Sequence, residues 1–188
     1  MISLFESLRS EPVRRAAEHL KEHGSLRLVG LLELSRALAV NDGNEDEAAC
    51  FAAELAGYGE GAEEEIPENR RIDAFASPFP IRAIDMGLID PEEVFIVNRD
   101  KFSQVRLTLH QPAADLEEAV DKLEDGGVVT LQVPAAEVTG RSADTDDVEL
   151  VYVYILPKEI RRVLEGIRAT AVSSIVGRLV QFAVSTTD

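Results

Sequence analysis

In the first sixty residues, apolar side chains recur three or four positions apart, which is the spacing of one face of an α-helix. The spacing predicts helices over residues 10–24 and 26–39. A third helix is predicted between Asn44 and Gly57, because Asn44 followed by Glu47 is a capping-box pattern and glycine is a common helix terminator. We therefore expect a compact helical unit over residues 1–58.

The pattern changes after residue 58. Residues 59–73 contain glycines, a run of three glutamates and a proline, which predicts an acidic, exposed linker. Beyond the linker, short apolar or alternating runs predict four strands, over residues 94–98, 104–110, 128–133 and 149–156. A helix is expected after each pair of strands. Asp115 is the predicted cap of the first helix, with Glu118 completing a capping box, and Pro157 opens the second.

This order of elements predicts an α+β fold. Two strands and then a helix occur twice, so we expect residues 74–188 to form a ββαββα-like domain with a mainly antiparallel sheet and covering helices. A hairpin loop is expected between the first two strands. The run VELVYVYIL is apolar on both faces, which indicates a central strand that is covered on both sides or lies at a subunit contact.

The C-terminal segment has an amphipathic pattern. We take its apolar stripe as a candidate interaction surface, consisting of Ile160, Leu164, Ile167, Ala171, Ile175, Leu179 and Phe182. Arg161 and Arg168 flank the stripe and belong to the same candidate surface. Two interpretations stay open, since the stripe could cover the sheet of its own chain or bind a neighbouring copy. We expect a helix over residues 158–176 and then a short strand or extended tail, because Gly177 and the β-rich ending disfavour a longer helix.

The charge of the chain is strongly negative and unevenly distributed. Its 35 acidic and 19 basic residues give a net charge of −16. Residues 41–75 and 114–156 each carry a net −9, whereas residues 1–40, 76–113 and 157–188 carry +1, −1 and +2. Acid excess with only four lysines is typical of proteins adapted to high salt, where like-charge repulsion is screened. An acidic mesophilic protein is the alternative.

No residue pattern specifies a catalytic or cofactor site. Asp144, Asp146, Asp147 and Glu149 are close enough in sequence to bind a cation, but they lack the glycine and the later glutamate of a calcium loop, so we expect a solvated turn. The glycine-rich run that begins at Gly57 is similar to a phosphate-binding loop. Three glutamates follow it, however, and their charge repels phosphate. His19 and His23 share a helix face, but two ligands do not make a metal site.

These patterns disfavour an enzyme. Cys50, within AACFAAEL, is expected to pack in the helical core and not to act as a nucleophile. No serine stands in a strand-turn-helix elbow. We therefore predict no catalytic residue, no metal and no cofactor.

The sequence favours a non-enzymatic structural subunit of a homo-oligomer or larger complex, such as a shell, virion or multi-subunit assembly, from a high-salt environment. Its partners are expected to be copies of itself or other protein subunits, held by the C-terminal segment and by edge strands. The alternative is a small-molecule-binding or transcription-regulatory domain whose N-terminal helices contact DNA, although five glutamates nearly cancel the six basic residues there.

The expected location of the protein follows from three features that the sequence lacks. A single cysteine excludes an intrachain disulfide, and the N-terminus lacks the pattern of a signal peptide. Arg168 and Arg178 interrupt the most apolar stretch, so no membrane span is expected. We expect the protein in the cytoplasm, or in a particle assembled there.

Overall fold

The computed structural model of the chain describes residues 27–59, 66–97, 102–123, 127–135, 138 and 149–185. These residues form six α-helices and a four-stranded antiparallel sheet, an α+β fold as predicted. The helices are α1 (Leu28–Asn41), α2 (Glu45–Ala56), α3 (Arg82–Asp85), α4 (Pro91–Val97), α5 (Ala113–Asp121) and α6 (Pro157–Ser185). The strands are β1 (Arg71–Ser77), β2 (Ser103–Thr108), β3 (Val129–Pro134) and β4 (Leu150–Ile155), and a 3₁₀ turn (Glu68–Arg70) precedes β1.

The chain divides into two compact units. The helical unit contains Met1–Gly61, Gln111–Asp115 and Leu164–Asp188, and the sheet unit contains Ala62–His110 and Leu116–Val163. The later part of α6 therefore belongs to the helical unit. The predicted linker at residues 59–73 stays a prediction, because residues 60–65 lie outside the described residues, but its end is already structured, since β1 begins at Arg71.

Helices α1 and α2 confirm two of the predicted helices; the predicted helix over residues 10–24 lies outside the described residues. The capping box of α2 is formed, since the Glu47 amide donates to Asn44 Oδ1 at 3.3 Å. Gly57 ends α2 with a φ of 82°, a conformation that glycine adopts without steric cost. The inward face of α1 follows the helical period, with these buried residues: Leu28, Leu31, Leu32, Ser35, Leu38 and Ala39.

The sheet has the strand order β2-β1-β4-β3, with every neighbouring pair antiparallel. One face is built from aliphatic side chains in register: Ile72 opposite Leu107, Ala74 opposite Val105 and Ala76 opposite Val153. All six are buried. The sheet unit has further buried side chains on α5 and at the start of α6, among them Leu116, Val120, Ile160 and Val163.

The other face of the sheet carries an aromatic cluster. Phe75 of β1 lies opposite Tyr154 of β4. Phe95 stacks on Phe75 with ring centroids 4.1 Å apart and meets Phe102 edge-on at 4.8 Å. Ile84 of α3 is fully buried in the same cluster. The residues between β1 and β2 therefore cover the second face of the sheet, and the prediction that the last strand is central and covered on both sides is confirmed.

One predicted strand is wrong. Residues 94–98 were expected to be a strand paired with the next one, but they fall largely in helix α4, and β2 pairs with β1 instead. The Asp90 side chain caps the helix by accepting from the Glu92 amide at 2.9 Å, and Pro91 occupies the first turn, where proline is tolerated. The local capping signal outweighs the β propensity of a short apolar run.

The strand that replaces it is β1. In RIDAFAS the buried positions alternate, with Ile72, Ala74 and Ala76 inward and Arg71 and Asp73 exposed. The alternation was present in the sequence, but Arg71 and Asp73 made the segment resemble the end of the acidic linker. The observed order is β1-α3-α4-β2-α5-β3-β4-α6, so two short helices separate the first two strands where a hairpin loop was expected.

Two further boundaries differ from expectation. Asp115 lies in the first turn of α5 and is not its cap, since the Asp115 amide donates to the Pro112 carbonyl at 3.1 Å. Helix α6 starts at Pro157 as predicted, but it continues to Ser185, so the predicted strand or tail after residue 176 is wrong. The glycine at position 177 is accommodated because a long helix loses only about 1 kcal/mol at each one.

Two glycines provide a matched test of backbone conformation. A methyl group would meet no atom within 4 Å at Gly177 or at Gly43, but Gly43 has a φ of +72° whereas Gly177 lies inside α6. We expect Gly177→Ala to raise the free energy of unfolding by about 0.5–1 kcal/mol through helix propensity. Gly43→Ala should lower it by about 1–2 kcal/mol through steric strain. Urea unfolding at low salt measures both, and equal shifts in the same direction would contradict this account.

Candidate interaction surface

The described members of the predicted stripe on α6 are buried or half-buried within the chain. Ile160, Ile167 and Ala171 are at most 2% exposed. Leu164 and Ile175 are half-buried, as is Arg168, whereas Arg161 is exposed. The side chains of Leu179 and Phe182 lie outside the described ones. The role of the stripe in assembly stays a prediction, but its buried members are occupied within a single chain, so a surface for partners on α6 needs other residues.

Within the helical unit, α6 approaches α1 closely at small residues. The Ser35 hydroxyl donates to the Ala171 carbonyl at 3.1 Å, and both residues are fully buried. Ala39 of α1 is also fully buried. Small side chains let the two backbones come near enough for a side chain to bond a main-chain carbonyl. The contact orients one face of α6 inward and leaves the opposite face outward.

A charged cluster around Arg178, here the Arg178 cluster, holds the C-terminal half of α6 to the turn between α1 and α2. Arg178 makes a two-pronged contact with Glu47, with Nη2 donating to Oε2 at 2.5 Å and Nη1 donating to Oε1 at 3.2 Å. Its Nε donates to Asp42 Oδ2 at 2.5 Å, and its Nη1 also reaches the Ser174 hydroxyl. The side chain of Arg178 is only 12% exposed, so solvent screens the cluster less than it screens a surface pair.

Glu47 connects this cluster to the cap of α2. Besides Arg178 it accepts from Asn44 Nδ2 at 2.9 Å. The hydrogen bonds from Arg178 hold the pKa of Glu47 below its ordinary value of 4.5, against the opposing effect of partial burial, and Ser174 and Asn44 act in the same direction as Arg178. One carboxylate therefore serves both the helix start and the interhelical contact.

The outward face of α6 carries three exposed valines, here the valine face. Val172, Val176 and Val180 are 42%, 49% and 57% exposed. Their spacing of four residues places them in one row along the helix. Residues 169–177 contain no charged side chain. The four-residue spacing of this row is visible in the sequence, but only the neighbouring stripe, which packs inward, was predicted as a surface.

A second group of exposed apolar side chains lies in the sheet unit between β1 and α4. Phe79, Met86, Leu88 and Ile89, here the Phe79 surface, are 73%, 64%, 71% and 41% exposed. Ile84, from the same stretch, is fully buried and anchors it to the aromatic cluster. None of these residues was predicted as a surface, because they lie in the turns on either side of α3, where no helical or strand period indicates which apolar side chains are exposed.

The sheet unit also has a cavity of about 500 Å³. Its apolar wall includes Ile89, Leu123 and Leu156, and its charged residues are Asp90, Glu92, Lys158 and Arg161. Lys158 donates to Glu92 at 2.5 Å, and this bond raises the pKa of Lys158. Both partners of the pair are more than half exposed, so the pair contributes little to stability.

The remaining candidates carry no site among the described residues. Asp144, Asp146 and Asp147 lie outside those residues, as do His19 and His23, and Glu149 is exposed. The described parts of the chain hold no group of three or more His, Cys, Asp or Glu residues that could bind a metal ion. Cys50 is exposed, so its predicted place in the helical core is wrong. Ala48 and Phe51 face inward on α2, and the helical period turns position 50 outward.

Among the helices of the described residues, none has the length and apolar character that a membrane span needs.

The Arg178 cluster predicts a pH-dependent coupling. In a double-mutant cycle of Arg178→Met and Glu47→Gln, we expect a coupling free energy of about 1 kcal/mol at pH 7, because the pair is partly buried and two-pronged. The folded-state pKa of Glu47 is lowered, so this stabilisation is present above the ordinary value of 4.5 and is lost as the pH falls below it. Urea unfolding at pH 7 and pH 3 measures the coupling at each pH.

The matched control is Glu118 with Lys122, an ion pair on α5 whose side chains are 61% and 72% exposed. The same cycle with Glu118→Gln and Lys122→Met should give a smaller coupling that falls further in salt. A coupling at Arg178 that is unchanged at pH 3, or no larger than that of the control, would contradict the structural role assigned to the cluster.

Compared with known protein families, with curated proteins and with solved structures, the chain matches none. What the protein does must therefore be inferred from the geometry and surface chemistry of the chain itself.

Proposed function

We propose that this protein is a non-enzymatic assembly subunit that associates with copies of itself to form a homo-oligomer or a larger shell-like complex. The observation that supports the proposal is the valine face, in which Val172 and Val176 lie in an uncharged stretch of α6 and Val180 follows Arg178, whose charge is engaged within the chain. A row of half-exposed valines along a helix is the kind of surface that another helix covers.

Electrostatics favours this face over the rest of the molecule. The net charge of −16 opposes the approach of two copies, most strongly where the acidic blocks at residues 41–75 and 114–156 would meet. The segment that contains α6 has a net charge of +2, and Arg178 is already engaged within the chain. Two copies that meet through the valine face therefore bring apolar surface together with little local repulsion.

The edge strands of the sheet are less suited to self-association than α6 is. The edges of the sheet are β2 and β3. Arg106 of β2 pairs across the sheet with Asp73 at 3.7 Å, and β3 ends in Pro134, which lacks an amide donor. Charge and proline on an edge oppose strand addition, so we assign the contact to α6 and not to the sheet edges.

A high-salt habitat is part of the proposal. The Debye length falls from about 10 Å at 0.1 M salt to about 3 Å at 1 M. Repulsion between acidic copies is then confined to close approach, while apolar association persists. The composition of the chain, with abundant acids and four lysines, suits such conditions. Assembly is expected to strengthen as salt is added.

The test is a charge placed on the valine face. We expect Val176→Glu to reduce self-association at 2 M KCl by at least tenfold, because assembly would bury an unpaired carboxylate. Sedimentation equilibrium of the full chain between 0.1 and 2 M KCl measures the association constant. Val40→Glu is the matched control, since Val40 is a valine 59% exposed on α1, outside the valine face.

Two outcomes would overturn the proposal. One is a wild-type protein that remains monomeric at every salt concentration. The other is an association that Val176→Glu and Val40→Glu weaken equally. Circular dichroism spectra of both variants establish that they remain folded.

The cavity favours a second candidate function, the binding of a small molecule. Its apolar wall suits a ligand with an apolar body, and Arg161 is the lining cation for an anionic group, since Lys158 is engaged by Glu92. Short-chain and aromatic carboxylates are suitable probes in a thermal-shift assay. We expect a raised melting temperature in wild type and none in Arg161→Glu; the absence of any shift in wild type would remove this candidate.

DNA binding by the helical unit has less support. Residues 27–59 contain two basic and six acidic side chains. A negatively charged surface repels the phosphate backbone, and contacts with that backbone dominate nucleic-acid affinity. The part of the helical unit in α1 and α2 therefore lacks the charge that a DNA-contacting role requires.

A further inference from the structure

The valine face alone is a small contact. Three valines that are about half exposed leave on the order of 250 Å² of apolar surface in each copy, whereas specific interfaces bury at least about 500 Å² per partner. An assembly built from this chain therefore needs more apolar surface than the valine face supplies.

The Phe79 surface exposes more apolar area than the valine face does. Four full-sized side chains that are between 41% and 73% exposed lie within eleven residues of sequence, from Phe79 to Ile89. Summed over the four side chains, the apolar area left in water is on the order of 500 Å². Two copies that cover this surface on each other would bury about 1,000 Å², which meets the lower limit of a specific interface.

The backbone that presents Phe79 is held in place from several directions. The Phe79 amide donates to the Ser77 hydroxyl at 3.2 Å, and the Phe79 carbonyl accepts from the Tyr154 hydroxyl at 3.3 Å. The same hydroxyl oxygen accepts from the Ile81 amide at 2.6 Å. Tyr154 is fully buried in the aromatic cluster, so its ring fixes the position of these bonds.

Proline on each side of Phe79 adds to this restriction. Pro78 and Pro80 fix their own φ angles and restrict the residues before them. An exposed aromatic ring on a restrained backbone loses little conformational entropy when a partner covers it. Aromatic and methionine side chains are also those enriched at interface centres. The geometry is that of a pre-organised anchor for a protein partner.

The charge around this surface indicates which partner it fits. Phe79, Met86, Leu88 and Ile89 fall in residues 76–113, which carry a net charge of −1 in a chain of net −16. Within residues 78–89 the sequence has one basic and one acidic residue, Arg82 and Asp85. A surface without net charge does not select a basic partner, but it permits a second acidic copy to approach in salt.

We infer that the Phe79 surface is a second self-contact, which packs against the same surface of another copy about a two-fold axis. This inference rests on the proposed function and extends it from one contact to two. Two different self-complementary contacts on one subunit generate a closed tetramer of dihedral symmetry, or an open chain when the axes do not close. The assembly therefore exceeds a dimer.

Light scattering coupled to gel filtration, in 2 M KCl, measures the mass of the full-length protein and its variants. From a subunit of 20.6 kDa, we expect wild type at about 80 kDa or more. Phe79→Ser with Leu88→Ser should leave only the small contact through α6 and so reduce the mass to between that of a monomer and that of a dimer, about 20 to 40 kDa. Val176→Glu should leave a dimer of about 40 kDa joined by the Phe79 surface, and the combination of all three changes should give a monomer.

Leu150→Ser is the matched control, because Leu150 is an exposed leucine of the sheet unit, 45% exposed, that lies in an acidic block outside the Phe79 surface. It should leave the wild-type mass unchanged. Tyr154→Phe provides a second variant that keeps every exposed apolar atom while removing the hydroxyl that restrains Phe79. It should weaken tetramer formation at least several-fold, and circular dichroism establishes that it is folded.

The outcomes separate this inference from the proposed function. If the Phe79 and Leu88 variant keeps the mass of wild type while Val176→Glu reduces it, the second contact is overturned and the α6 contact stands. If wild type is a dimer that only Phe79 and Leu88 maintain, the two-contact inference and the role of the valine face both fail. A wild type that is monomeric in all salts overturns the proposed function itself.

Discussion

The antiparallel pairing of β1 with β4 is the contact on which the sheet unit depends. Each outer strand has only one neighbour, β2 on β1 and β3 on β4, so the β1–β4 ladder alone joins the two pairs into one sheet. It places Phe75 opposite Tyr154, and this pair forms the floor of the aromatic cluster. The hydroxyl of Tyr154 then bonds the main chain at Phe79 and Ile81. A single long-range pairing therefore determines both the core and the presentation of an exposed anchor.

The helical unit depends in a comparable way on one side chain. Arg178 bonds carboxylates that follow α1 and begin α2, and Ser174 of its own helix completes the cluster. The arrangement pairs two members of an acidic block with one cation of the same chain. It also explains why α6 continues through Gly177 and a β-rich sequence, since tertiary bonds at Arg178 compensate for poor local helix propensity.

Charge and apolar exposure are separated along this chain. The two acidic blocks together carry a net −18, which exceeds the net −16 of the whole chain, whereas the valine face and the Phe79 surface lie in segments of +2 and −1. Exposed apolar surface costs solubility unless it is covered, and repulsion between acidic blocks keeps copies apart unless salt screens it. A chain with this distribution is suited to assembly controlled by ionic strength, which is the role proposed for it.

The sequence by itself determined the fold class, the helix starts at Asn44 and Pro157, and the covered central strand, because caps, prolines and runs apolar on both faces act through neighbouring residues. It did not determine that residues 91–97 are helical and 71–77 a strand, since a short apolar run is satisfied by either structure until a sheet face needs cover. Only the tertiary structure decided which face of α6 is inward. Ala171 packs against Ser35, and Val176 is left in water, although both are small apolar residues of one helix. Periodicity identifies a row of apolar positions, but the partner of each row is set by contacts between segments far apart in sequence.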